Sequence, residues 1–153
     1  MVSLRHHRGF TLIELLLVMG ILAVLMFVVL TAINPNRQLG QARNARRQAD
    51  IQSIIEAVSQ YSIDKGYPPA DIPQGLSLAK PLCQFSMTYA ECDAMNGFHL
   101  RMLSGTYLPE MPKDPLLVQS GTGTRYKIYR NEDRRVFIFA TGAEDGKSIW
   151  VAR

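Results

Sequence analysis

The sequence predicts an α+β fold. A long N-terminal helix, membrane-spanning over its first half, packs its second half on a small antiparallel sheet. Three observations carry that expectation. Residues 10–33 form an apolar run, residues 51–61 place apolar side chains at helical spacing, and three short segments near the C-terminus alternate in the β manner. With 153 residues, the chain has room for one domain of ordinary size. Charged residues at 20%, with 11 glycines and 8 prolines, argue against wholesale disorder and collagen-like repeats. Two cysteines cannot make a disulfide-dense scaffold or a four-thiolate zinc site. The formal charge of +4 raises a nucleic-acid reading that the distribution of charge has to support.

The first element begins after a short polar segment, MVSLRHHRG, that holds Arg5 and Arg8. From Phe10 to Ile33 only Glu14 is charged. As a helix the run reaches roughly 36 Å, against a hydrocarbon core of about 30 Å. It is apolar all round, whereas a surface helix of a soluble core would show a polar face. A secretory signal would carry a shorter apolar region followed by a small-residue cleavage site, so the segment is expected to stay in the mature protein.

Glu14 is the informative exception. A carboxylate at the centre of a span costs about 2.5–3.5 kcal/mol, less near the interface, and a cationic partner would offset it. Cleavage between Gly9 and Phe10 would create one. The new α-amine, with an ordinary pKa of about 7.7–8.0, would lie four residues before Glu14, or beside Glu14 of a neighbouring subunit. Such a pair sets register better than it adds stability.

A basic leader ending in Gly9, followed by Phe10-Thr11-Leu12-Ile13-Glu14-Leu15-Leu16, resembles the type III signal of the type IV pilin and type II secretion pseudopilin superfamily. The resemblance implies that a prepilin peptidase cuts after Gly9, that Phe10 is N-methylated, and that Glu14 serves filament assembly. It also implies a pilin-like fold, with residues 1–9 as leader, 10–33 as the filament-core helix, 34–66 as its amphipathic second half and 67–153 as a globular head. The implied partners are copies of the chain and other pilins, the prepilin peptidase, a pilus assembly platform, and membrane lipid before assembly. The precursor would be a single-pass protein of the cytoplasmic membrane with an extracytoplasmic head, ending in a surface pilus or a periplasmic pseudopilus. Arg5 and Arg8 precede the span while Arg37, Arg43, Arg46 and Arg47 follow it, so a count of basic residues alone would put the head in the cytoplasm. The resemblance places it outside.

The helical signal breaks at Asn34-Pro35 and resumes at once. Ile51, Ile54, Ile55, Val58 and Tyr61 make a one-sided apolar stripe, and Gly66 before Tyr67-Pro68-Pro69 supplies the stop. Leu39, Ala42, Ala45 and Ala49 lie largely on a different face, suited to neighbouring helices. Arg43, Arg46 and Arg47 project within roughly 100° and form a candidate basic contact face. A solvated face or inter-subunit ion pairs explain it better than DNA, and DNA binding is not supported.

Residues 68–115 hold seven of the eight prolines and both cysteines, as a loop-rich region would. Cys83 and Cys92 are either a disulfide pair or two separate buried thiols. Export, which the resemblance implies, favours the bridge, which would contribute about 2–3 kcal/mol. Without C-x-x-C spacing or convergent histidines they are not expected to bind metal, and His99 reads as structural. Residues 125–130, 135–141 and 148–152 read as three strands of an antiparallel meander whose apolar face covers the Ile51–Tyr61 stripe. Met111-Pro112-Lys113-Asp114-Pro115 before a tyrosine-rich strand also resembles pilin-like heads. Gly121-Thr122-Gly123-Thr124 lacks the Lys-Ser/Thr ending of a phosphate loop. Glu144-Asp145-Gly146 falls where some pseudopilins hold calcium, but too few oxygen donors accompany it. No nucleophile–base set or cofactor fingerprint is present, so neither an enzyme nor a cofactor is expected. The expected function is a structural subunit of a type IV pilus-like filament. The alternatives are a pseudopilin of a secretion or DNA-uptake machine, or an anchored binding domain that never polymerises.

Overall fold

In the computed structural model the described residues are 9–32, 34–117 and 123–153. Residues 1–8, where the leader is expected, Ile33, and residues 118–122 with Gly121-Thr122 of the glycine loop lie outside them. The chain divides into two units, Met1–Gln38 and Leu39–Arg153.

In the first unit, helix α1 runs Leu12–Ala32. Twenty-one residues reach about 31 Å, and Leu12–Thr31 is long and apolar enough to cross a membrane. None of that stretch is buried in the protein. Its apolar surface needs lipid or other helices to cover it. Helix α2 runs Pro35–Lys65, and Asn34-Pro35 begins it. The Asn34 side chain accepts the Arg37 N–H at 3.3 Å, and proline takes the first helical position, where a missing N–H costs nothing. At the other end Gly66 adopts φ 79° and donates its N–H to Ser62 O at 2.9 Å, a glycine C-terminal stop.

In the second unit, the buried stripe of α2 is Ile51, Ile54, Ile55, Ala57 and Val58. It meets a four-stranded antiparallel sheet in the order β1 (Lys80–Pro81), β2 (Tyr126–Arg130), β3 (Val136–Ala140) and β4 (Ile149–Ala152). Tyr126, Ile128, Val136, Ile138, Ala140 and Ile149 face the stripe in one core with Leu82, Leu100 and Leu103. The register pairs Ile128 with Ile138 and Ile138 with Val151, which puts the inward residues in one row across the strands. The meander of β2–β4 agrees with the alternation of the sequence. β1 does not appear in that pattern, because a two-residue strand containing Pro81 has no alternation to read and proline is tolerated only at an edge. A 3-10 turn (Leu76–Leu78) precedes β1, and between β1 and β2 lie the short helix α3 (Tyr89–Ala94) and a second 3-10 turn (Arg101–Leu103).

Candidate processing and assembly site

The N-terminal segment places its chemistry at the start of α1. Among the described residues nothing crowds Gly9, and Phe10 is 86% exposed, so these residues leave the bond between them uncovered. Thr11 and Glu14 form a reciprocal cap. The Thr11 N–H and hydroxyl both donate to Glu14 Oε2 at 2.8 Å, and the Glu14 N–H donates to Thr11 Oγ1 at 3.3 Å. Free N–H groups at a helix start would go unsatisfied in an apolar medium, and this box satisfies two of them. Glu14 therefore has a hydrogen-bonded role within its own helix, in addition to any role with an α-amine. The T-x-x-E spacing that signals such a box is present in Thr11-Leu12-Ile13-Glu14.

The three arginines do not form one solvent face. Arg47 is fully buried and pairs side-on with Asp114, Nε to Oδ2 at 2.7 Å and Nη2 to Oδ1 at 3.1 Å. Its Nη1 donates to Glu144 Oε2 and to Asn44 Oδ1, both at 2.8 Å. Arg43 grips Glu144 with Nε at 2.8 Å and Nη2 at 2.6 Å. Asn44 completes the lock, exchanging bonds with the Glu144 backbone in both directions at 3.0 Å. Of the three, only Arg46 is solvent-exposed. The expected basic contact face is thus corrected: acids from two head loops neutralise two of its members, which tie α2 to the loop before β2 and to the β3–β4 loop. Gly142 permits the approach, since a Cβ there would lie 2.6 Å from Asp114 Oδ2. The Glu144 carboxylate is already held by two guanidinium groups, an environment that disfavours a calcium ion.

These contacts set the ionisation. Hydrogen bonds from Arg43 and then Arg47 lower the Glu144 pKa to about 2. Burial pushes the Asp114 carboxyl up, but the Arg47 bonds and the Leu116 N–H more than offset it, leaving it below its ordinary value. Burial, reinforced by its hydrogen bond to Asp50 at 2.7 Å, raises the Tyr126 hydroxyl far above the usual tyrosine range.

Cys83 and Cys92 form a disulfide with their Cα atoms 5.8 Å apart. His99, which sequence spacing treats as isolated, folds back beside them: one of its ring nitrogens and both sulphurs lie within 4.8 Å of one another. The convergent histidine missing from the sequence pattern is therefore present in space, because the turn at Asn96-Gly97 reverses the chain after α3.

The prokaryotic N-terminal methylation motif family matches residues 4–30, which contain Gly9, Phe10 and Glu14. The chain is 28% identical over 148 residues to the type II secretion system core protein G of Vibrio cholerae serotype O1. That alignment covers 94% of this chain and 86% of the relative, so it includes the head as well as the helix. No solved structure matches the chain. The motif and the apolar helix mark a membrane-anchored precursor, with the self-assembly and peptidase processing that the motif implies. The methylation motif, the apolar helix, the α+β head and a similarity running almost end to end together support the type IV pilin and type II secretion pseudopilin superfamily.

Proposed function

We propose that the chain is a pseudopilin, a non-enzymatic subunit of a short filament in a type II secretion machine. It is made as a single-pass precursor of the cytoplasmic membrane with its head outside. Prepilin peptidase cuts it between Gly9 and Phe10 and methylates Phe10, and an assembly platform extracts it into the filament. The observation that carries this reading over a surface type IV pilus is the extent of the similarity to a secretion core protein, 94% of the chain rather than the motif alone. The exposed apolar surface of α1 supplies the cohesion, because neighbouring helices replace lipid around it. Glu14, charged in an otherwise apolar helix, supplies axial register through the α-amine of Phe10 on a neighbouring copy.

Glu14→Leu tests the assembly role. The variant should be cleaved and retained in the membrane, with assembled filament reduced on the order of tenfold or more, about 1.4 kcal/mol per subunit added. Normal filament yield removes Glu14 from assembly. Electron microscopy with antibody against the head separates the filament types: short periplasmic filaments fit the secretion reading, whereas long surface filaments favour the pilus.

A further inference from the structure

The cluster of Cys83, Cys92 and His99 is separate from the processing segment and the arginine network. Three short pieces build it. Cys83 follows β1 and its N–H donates to Phe98 O at 3.1 Å. Cys92 lies in α3, whose start is fixed by the Thr88–Glu91 capping box. Gly97 then turns the chain back, its N–H donating to Cys92 O at 2.8 Å, and delivers His99. The Gly97 backbone passes directly against the sulphurs. A Cβ there would collide with Cys83 Sγ and lie 2.8 Å from Cys92 Sγ, so only glycine leaves that space open.

The donors around the cluster are soft. Both cysteine sulphurs are buried, Met87 shares their apolar cluster, and Met95 packs against it. His99 Nε2 lies 3.2 Å from the Thr88 carbonyl oxygen, to which it donates its proton. That tautomer leaves Nδ1 as a bare lone pair, and Nδ1 is buried with no hydrogen-bond partner among the described residues. A buried polar atom left unpaired costs about 1–3 kcal/mol and calls for a partner. A histidine whose second nitrogen donates to a backbone carbonyl is oriented as metal-binding histidines are.

We propose that in its dithiol state this cluster binds one Cu(I) ion through Cys83 Sγ, Cys92 Sγ and His99 Nδ1, and that disulfide formation closes the site. Thiolates flanked by thioethers select a soft ion, and the ligand cluster contains no carboxylate that would favour a hard one. Zinc favours a fourth N, O or S ligand in a closed site, and among the described residues this cluster brings three such residues together. The exchange balances. An external dithiol delivers two electrons and two protons to the Cys83–Cys92 bond, which opens to two thiols as the reductant becomes a disulfide. Cu(I) then displaces one proton from each thiol. With the Cα atoms 5.8 Å apart, both sulphurs reach one ion by side-chain rotation.

The test uses the full chain in detergent, reduced anaerobically, freed of reductant and titrated with Cu(I) against the chromophoric chelator bicinchoninate. One Cu(I) per chain should be withdrawn from the chelator, and the bound ion should protect both thiols from iodoacetamide. The disulfide form should withdraw none. Cys83→Ser should lose the site, and His99→Ala should weaken it at least about tenfold, the scale of losing a metal-site partner. Circular dichroism of the reduced chain should match that of the disulfide form. The proposal is overturned if the reduced chain takes no Cu(I), if the disulfide form binds equally, or if His99→Ala binds as tightly as the wild type. Equal binding by His99→Ala would also be the signature of thiols binding in an unfolded chain.

Discussion

Arg47 heads the fully buried side chains of the described residues by volume, and its guanidinium is enclosed by Asp114, Glu144 and Asn44. An ion pair taken out of water gains little net stability, but removing one partner leaves the other charge buried and unpaired. Arg47→Ala should therefore destabilise the head by about 3–5 kcal/mol in urea unfolding. Replacing the pair together, Arg47→Met with Asp114→Leu, should recover most of that loss. An Arg47→Ala chain within about 0.5 kcal/mol of wild type would show that the network is ornamental. The same contacts predict a pH dependence. The folded Glu144 carboxyl, at about 2, lies below its ordinary value near 4.3, so its contribution is present above pH ~4 and is lost as pH falls toward 2. Asp114 acts in the same direction. Acid unfolding followed by circular dichroism should be less steep across that window in Glu144→Gln, and an unchanged slope would contradict the pairing. Arg43, Arg46 and Arg47 were legible as a basic stretch of helix. Their division into one exposed and two neutralised side chains was not, because the acids that neutralise them lie between 67 and 101 residues away. The excess of arginine after the span is thereby explained in part by the interior of the head.

At the scale of elements, α2 was the most legible part of the fold. Its apolar stripe at Ile51, Ile54, Ile55 and Val58 is the buried face, and Gly66 ends it. Ile54 is fully enclosed between helix and sheet, so Ile54→Ala should cost about 2–5 kcal/mol in the same urea assay. A loss below about 1 kcal/mol would mean that the helix does not organise this core. Leu39, Ala42, Ala45 and Ala49 are exposed, in keeping with a face on the other side of the helix. The strands β2, β3 and β4 followed from alternation, while β1 depended on pairings with Ile128 and Lys127 that no local pattern encodes. His99 was hidden for a related reason. Its seven-residue separation from Cys92 has no meaning until the turn at Gly97 closes it.

Across the whole molecule, charge and hydropathy divide between unlike parts. Loss of Met1–Gly9 would remove Arg5 and Arg8 and leave 15 basic against 13 acidic residues, lowering the formal charge from +4 to +2. The apolar surface of α1 is unburied over the full spanning stretch, which suits a chain that moves from lipid into a bundle of its own helices. The Thr11–Glu14 cap leaves the carboxylate at the helix start with its hydrogen bonds made, which suits the proposed pairing with a neighbour's α-amine. All of this depends on cleavage at one peptide bond. Mass spectrometry of the mature N-terminus, taken from the native membrane or assembled filament, tests that claim most directly. The account predicts a chain beginning at Phe10 and carrying one methyl group on its α-amine. A mature chain that retains Met1–Gly9, or an unmethylated terminus at any other residue, would contradict it.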